Sequence, residues 1–274
     1  MNSFSLGRIT ITAFALLLFG CGPTRVQLRP DFWQEPEHKV GVAVRQMPQL
    51  HVHPLLEEAV VGMSPLQELV YVEIWKAKVG ALESHLQLID VSRFGEVADR
   101  YVEALEARGF TARKLAQAPK LEHLPPFQAE GSGEFAKQDL RPLAAKEGLD
   151  MLVLLSMEKC GARLLPFWGM NAMCLAGGEL IDLRTNRVEW RAIMEEEQGM
   201  VTVNGEWNQA PDFPLITADL GKAVTQAQQY LVNDFFSAAV ATPCSNTPEY
   251  QAASPEEKKR LLRECAKAKS ASVQ

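Results

Sequence analysis

The chain has 274 residues, 47% hydrophobic and 23% charged, the balance of a folded domain, which excludes disordered, collagen-like and polytopic membrane architectures. Lysine and arginine number 28 against 34 aspartates and glutamates, a net charge of −6, with no long basic run to form the clustered positive face that nucleic acid requires. A chain of this length forms one large domain or two small ones and buries a core unaided.

Met1 to Arg8 carry the amino terminus and a single arginine, and an apolar run over 9–19 follows, interrupted only by Thr10 and Thr12. That is the length of a signal h-region and well short of the roughly 20 apolar residues a spanning helix needs. The run breaks at Gly20-Cys21-Gly22-Pro23. Leu18-Phe19-Gly20-Cys21 resembles the lipobox of bacterial lipoproteins, with Leu three residues before the Cys and a small residue just before it. The resemblance implies that residues 1–20 are a signal peptide, cleaved before Cys21, and that the Cys21 thiol is lipidated. Gly22 in place of Asp implies, by resemblance to lipoprotein sorting, an outer-membrane address facing the periplasm. The mature chain then has 254 residues, 27 basic against 34 acidic, net −7. The competing reading is an ordinary secretory signal followed by an incidental Cys.

Residues 21–38, with several prolines, read as a tether. Lys39-Val40-Gly41-Val42-Ala43-Val44 is a short Val-rich run, the signature of a buried strand. Residues 45–63 lack a period and read as loop. Ser64-Pro65-Leu66-Gln67 fits a capping box with Pro at the first helical position, and Leu66, Leu69, Val72, Trp75, Val79, Leu82 and Leu86 then build one apolar stripe. A second amphipathic helix is expected over 92–108, with Phe94, Val97, Tyr101 and Leu105 on one face and Gly109 as its stop. Residues 110–115 form a strand and 116–134 a linker or long surface loop. A short helix over 139–147 ends at Gly148. Residues 150–155 are the clearest buried strand, which runs toward a turn at Phe167; residues 173–183 return antiparallel, and 184–187 turn into a third strand over 188–195. Thr217 is expected to cap a last core helix carrying Leu220, Ala223, Val224, Ala227, Leu231 and Phe235.

Beyond Cys21, four cysteines remain, an even number in a chain sent to an oxidising space. Of three connectivities the spacing favours Cys160–Cys174, because the two flank Pro166-Phe167-Trp168-Gly169 symmetrically about Phe167, where opposed antiparallel residues lie within disulfide reach. Cys244 and Cys265 would then close a loop around the tail. The alternative is that some of the four are buried free thiols.

The element order is α+β: a mixed sheet with an antiparallel three-stranded meander and helices packed on it, over 39–240, followed by a C-terminal tail, 241–274, with a short helix started by Ser254 to Glu257. The chain resembles the periplasmic lipoprotein domains related to the penicillin-binding-protein activator lipoproteins and the curli secretion lipoprotein. The matching pieces are Lys39 to Val44, Leu105-Glu106-Ala107-Arg108-Gly109-Phe110, Ala144-Ala145-Lys146-Glu147-Gly148-Leu149-Asp150, and Gly178-Glu179-Leu180-Ile181-Asp182-Leu183-Arg184-Thr185-Asn186-Arg187-Val188-Glu189-Trp190, within residues 39–237. These motifs imply a fold pattern and no particular activity. The two helices before the second strand and the 116–134 insertion depart from that pattern.

The motifs of catalysis are missing: the chain has no G-x-S-x-G elbow, phosphate loop, C-x-x-C or H-E-x-x-H, and no catalytic residue, metal or cofactor is expected. His51-Val52-His53, with Glu57 or Glu58, is the minimum of a metal site, and a solvated loop is the plainer reading. Glu195-Glu196-Glu197 reads as a like-charged strand end in solvent. Leu164-Leu165-Pro166-Phe167-Trp168-Gly169-Met170 stands apart, since it crowds apolar side chains onto a hairpin tip where polar turn residues are expected. Either the tip folds back onto its own domain, or Leu165, Phe167, Trp168 and Met170 present an anchor to a partner. The expected role is a lipid-anchored, non-enzymatic envelope protein that binds or regulates another envelope protein or self-assembles, held to the membrane through Cys21 and binding no nucleic acid. The alternative is an envelope hydrolase with an unrecognised site.

Overall fold

The structure is a computed structural model that describes residues 24–45, 47–53, 65–129, 132–165 and 169–237, with 253, 254, 257, 260 and 261 beyond them. Cys21, Cys244 and Cys265 lie outside the described residues. Strands β1 (Lys39–Val44), β2 (His51–His53), β3 (Thr111–Lys114), β4 (Met151–Leu164), β5 (Met170–Asp182), β6 (Arg187–Ile193) and β7 (Met200–Thr202) form one mixed sheet. Its main path is β3-β1-β4-β5-β6, with β2 beside the end of β4 and β7 beside the start of β5. Strands β3, β1, β4 and β2 pair in parallel, while β4, β5 and β6 form the expected antiparallel meander. The fold is α+β.

Side-chain alternation along the strands divides the core between two faces. Val40, Val42, Met151, Val153 and Leu155 point to a face covered by α1 (Pro65–Leu86), α2 (Val97–Glu106) and α5 (Pro214–Phe236). Ala43, Leu152, Leu154, Ile181 and Val188 point to the other, covered by α3 (Pro142–Glu147) and the segment before it. Helix α5 buries Ile216, Leu220, Ala223, Val224, Ala227, Leu231 and Phe235, each of the larger residues contributing roughly 1.5–3 kcal/mol of burial. In α1, Leu82 and Leu86 are buried as the stripe predicts; Ser64 and the side chains of Leu66, Leu69, Val72 and Trp75 lie outside the described residues. Phe94, Val97, Tyr101 and Leu105 are fully buried, and the Tyr101 hydroxyl donates to the Leu231 carbonyl at 2.7 Å, which ties α2 to α5. Burial pushes that phenol well above its ordinary range, with the Asp234 charge adding to the effect.

Several elements differ from the sequence reading. Residues 92–108 are a 3-10 turn, Ser92–Glu96, followed by α2. Helix α5 starts at Pro214, three residues before Thr217, because Pro at N1 supplies the start and the Thr217 hydroxyl donates back to the Phe213 carbonyl from inside the helix. Within 116–134, expected as a linker or long surface loop, Leu121–His123 form a 3-10 turn, and Leu121 and Leu124 pack on the second core face. Asn186 fixes the segment that follows. Fully buried and left-handed at φ 63°, its amide accepts from Leu140 N at 2.8 Å and donates to the Ala136 and Gln138 carbonyls at 3.1 and 2.9 Å.

The largest difference is at the N-terminal side. Residues 24–34, expected as tether, form a strap docked on the body: Val26 bridges Arg191 on β6, and Leu28, Phe32 and Trp33 are buried. Phe32 stacks on Phe110 at 5.0 Å and Trp33 meets Phe235 edge-on at 5.6 Å. Two adjacent aromatics inside a tether would expose a costly apolar surface, and the docked conformation removes it from water.

Candidate functional site

The β4–β5 hairpin is the longest feature of the sheet. Its register places Cys160 opposite Cys174, Ala162 opposite Ala172 and Leu164 opposite Met170, the symmetry about Phe167 that the spacing implies. Cys160 and Cys174 form a disulfide. It staples the hairpin close to its turn, where Leu165 N donates to Gly169 O at 2.9 Å. Phe167 and Trp168, with Pro166, lie outside the described residues. Met170 does not belong to an exposed tip: it is 1% exposed and packs in the main core, because its strand parity matches Cys174 and Ala172. Leu165 is half-buried.

The far half of the hairpin is braced on both edges. Segment 45–63, expected as loop, contributes β2, with His51 opposite Gly161 and His53 opposite Arg163. A Cβ on Gly161 would sit 1.9 Å from the His51 carbonyl oxygen, so the approach requires glycine. His51 Nδ1 lies 2.7 Å from Glu83 Oε1 and Val52 N donates to Glu83 Oε2 at 2.6 Å, which ties β2 to α1. The His51–His53 pair is thus built into the sheet, and among the described residues no group of three potential metal ligands forms. Glu57 and Glu58 lie outside the described residues. Burial lowers the pKa of His53, helped by Lys159 and His51; a backbone hydrogen bond at Cys160 and the Glu83 charge oppose this.

On the other edge, Glu195-Glu196-Glu197 opens a helical turn, α4 (Glu196–Gly199), with Glu195 and Gln198 as a reciprocal capping box. The acidic run is therefore a helix start rather than a bare strand end. Glu196 pairs with Arg163, and with Lys159 at 3.7 Å, which anchors the turn to β4. Gly199 lies close against Leu175 and the Cys174 carbonyl of β5.

Two grooves flank residues 117–120, the first at the carboxyl end of β1 and the second beside the start of β4. One, of about 670 Å³, is lined by Arg45, Lys120, Glu122, Ser156 and Glu158, with the Ser156 hydroxyl donating to Glu158. The other, of about 620 Å³, has an apolar floor of Leu152 and Leu183 and a rim with Arg113, His123 and Lys146. The first groove lies at the carboxyl end of a parallel strand, a common ligand position in such sheets. The sequence held no sign of the grooves, since their residues come from four separate segments.

The strap is held by polar contacts along its length. Thr24 Oγ1 donates to Glu134 at 3.0 Å, Arg25 pairs with Asp234, and Arg29 Nε donates to Glu189 at 3.1 Å. Arg191 lies under it, donating to Glu179 at 2.6 Å, to Glu134 at 2.9 Å and to the Thr24 carbonyl at 3.2 Å. Burial works against the Arg191 charge, but the hydrogen bonds to Glu179 and Glu134 outweigh it and raise its pKa. The sequence signal for docking was present in Phe32-Trp33, preceded by Pro30.

No family model matches the chain, and no curated protein matches it. Among solved structures, a DUF330 protein from Xanthomonas campestris overlaps 79% of this chain and 92% of its own at 13% identity and a TM-score of 0.35. Lipoprotein GNA1162 from Neisseria meningitidis overlaps 69% of this chain and 98% of its own at 8% identity and a TM-score of 0.26. The PelC dodecamer from Paraburkholderia phytofirmans overlaps 75% and 94% at 13% identity and a TM-score of 0.22. At these scores the overlaps transfer no residue role. Among the described residues no helix is long and apolar enough to cross a membrane.

Proposed function

We propose that this chain is a lipid-anchored, non-enzymatic module of the bacterial envelope, held at Cys21 to the periplasmic side of the outer membrane, which docks another envelope protein or further copies of itself through the β4–β5 hairpin. The observation that carries the reading is the Cys160–Cys174 disulfide set close to the turn. A disulfide accords with the oxidising compartment that Leu18-Phe19-Gly20-Cys21 implies, and a stapled hairpin lowers the ordering cost of docking its tip. Leu165, Phe167 and Trp168 are the proposed contact; Met170 is withdrawn from it by its burial.

The test is capture from detergent-solubilised membranes with the wild-type chain and with Phe167→Ser, Trp168→Ser. The wild type recovers a partner or an oligomer, and the double variant loses it with a nearly unchanged thermal midpoint, since surface substitutions are usually within about 0.5 kcal/mol. A loss of about 3–5 kcal/mol would instead assign the rings to the protein's own core, and recovery of the wild type as a bare monomer would count against docking.

A further inference from the structure

The strap decides how far the folded body stands from the lipid. Thr24 is already docked, through Glu134 and the Arg191 side chain, and lies only three residue steps from Cys21. Three residues span about 10 Å at full extension. Had residues 21–38 been a free tether, Lys39 would reach about 60 Å from Cys21. The edge that receives the strap must therefore lie beside the bilayer.

That edge has a distinct charge arrangement. Arg25 is 56% exposed over an Asp234 that is 8% exposed. Arg29 and Arg187 are 62% and 55% exposed over a shared Glu189 at 12%, and Arg184 is 62% exposed over Asp182 at 17%. In each pair the guanidinium is outermost and the carboxylate lies beneath it. The exposed acids near them are Asp31, which faces Arg29 at 3.5 Å, Glu134, which is bound to Thr24 and Arg191, and Glu195, which opens the exposed acidic run just beyond β6. A mature chain of net −7 thus turns an arginine rim outward where its anchor arrives. Ile193, one of the exposed large apolar side chains, lies two residues beyond Arg191 on the same strand.

We propose that the β6 edge, with strap residues 24–29 laid on it and Arg25, Arg29, Arg184 and Arg187 along its rim, rests on the headgroups of the bilayer that holds Cys21, its guanidinium groups meeting lipid phosphates. The proposal rests on the lipid-anchored reading above and adds the face that touches the membrane. Guanidinium groups bind phosphate oxygens in a bidentate fork, and at this edge they lie outside the carboxylates that pair with them, so short linkage and the outward order of the charges select the same face.

The experiment uses the full mature protein purified from membranes, its Cys21 acylation checked by mass spectrometry, in vesicles of phosphatidylethanolamine and phosphatidylglycerol carrying a nitroxide on a fraction of the headgroups. A coumarin amino acid is placed at Gln27, exposed on the strap, or at Arg100, exposed on α2. Quenching should be severalfold stronger at position 27 than at 100. Added salt, or Arg184→Glu with Arg187→Glu, should weaken quenching at position 27, with position 27 still above position 100, while circular dichroism and the thermal midpoint confirm the fold. Acylated, vesicle-bound protein with equal quenching at both sites, or stronger quenching at 100, overturns the proposed face and leaves anchoring intact. Protein without acyl chains on Cys21 that stays off the vesicles overturns both.

Discussion

Val26 and Arg191 exchange both of their backbone hydrogen bonds, Val26 N to Arg191 O at 3.0 Å and Arg191 N to Val26 O at 2.9 Å, so the segment behind the lipobox-like motif pairs with the edge of the sheet. The same arginine holds the strap by its side chain. Replacing Arg191 with Met keeps the backbone pair but leaves Glu179 and the Thr24 carbonyl without their donor. Glu179 and Glu134 retain access to water, so the loss should be about 2 kcal/mol, below that of a fully buried pair. Denaturant unfolding measures it, and the Val26 amide should exchange faster in the variant.

Asn186 organises the second core face from a single buried side chain. Asn186→Ala removes three hydrogen bonds and strands Leu140 N and the Ala136 and Gln138 carbonyls. The expected cost is about 2–4 kcal/mol in chemical denaturation. A change below about 0.5 kcal/mol would mean that this segment does not depend on the asparagine.

Two glycines should respond in opposite directions. At Gly161 a new Cβ meets the His51 backbone at 1.9 Å, which no side-chain movement relieves, so Gly161→Ala should detach β2 and speed amide exchange at Val52. Gly221, inside α5, has nothing within 4 Å of the same position. Gly221→Ala should raise stability by about 0.5–1 kcal/mol through helix propensity.

The elements that were legible in the sequence share one property: their pattern is local. The Val-rich β1, the buried start of β4, the face of α2 at Phe94, Val97, Tyr101 and Leu105, and the Cys160–Cys174 pairing all follow from spacing within one segment. What was misread depends on partners far along the chain. Strand β2 is three residues long and exists because Gly161 admits it, and the strap is ordered by β6 and α5, more than 150 residues away. Parity, invisible until the register is known, moved Met170 from the tip into the core. The grooves beside residues 117–120 assemble from separate segments and carry no motif.

His53 should give stability a dependence on mild acid. Burial, Lys159 and His51 hold its pKa below the ordinary imidazole value of 6.5 in the folded state. The unfolded chain then takes up the proton first, so the contribution is fully present above pH 6.5 and is lost as the pH falls below it. Denaturant midpoints compared at neutral and mildly acidic pH should fall for the wild type and change less for His53→Gln, while an equal fall in both would remove His53 as the source.

Anchoring at Cys21 underlies both the envelope role and the membrane-facing edge, and fractionation of Cys21→Ser beside the wild type tests it most directly. The account predicts that the wild type stays with membranes, whereas the variant appears as released mature protein or accumulates as uncleaved precursor. A Cys21→Ser protein that is processed and still fractionates with membranes would contradict it.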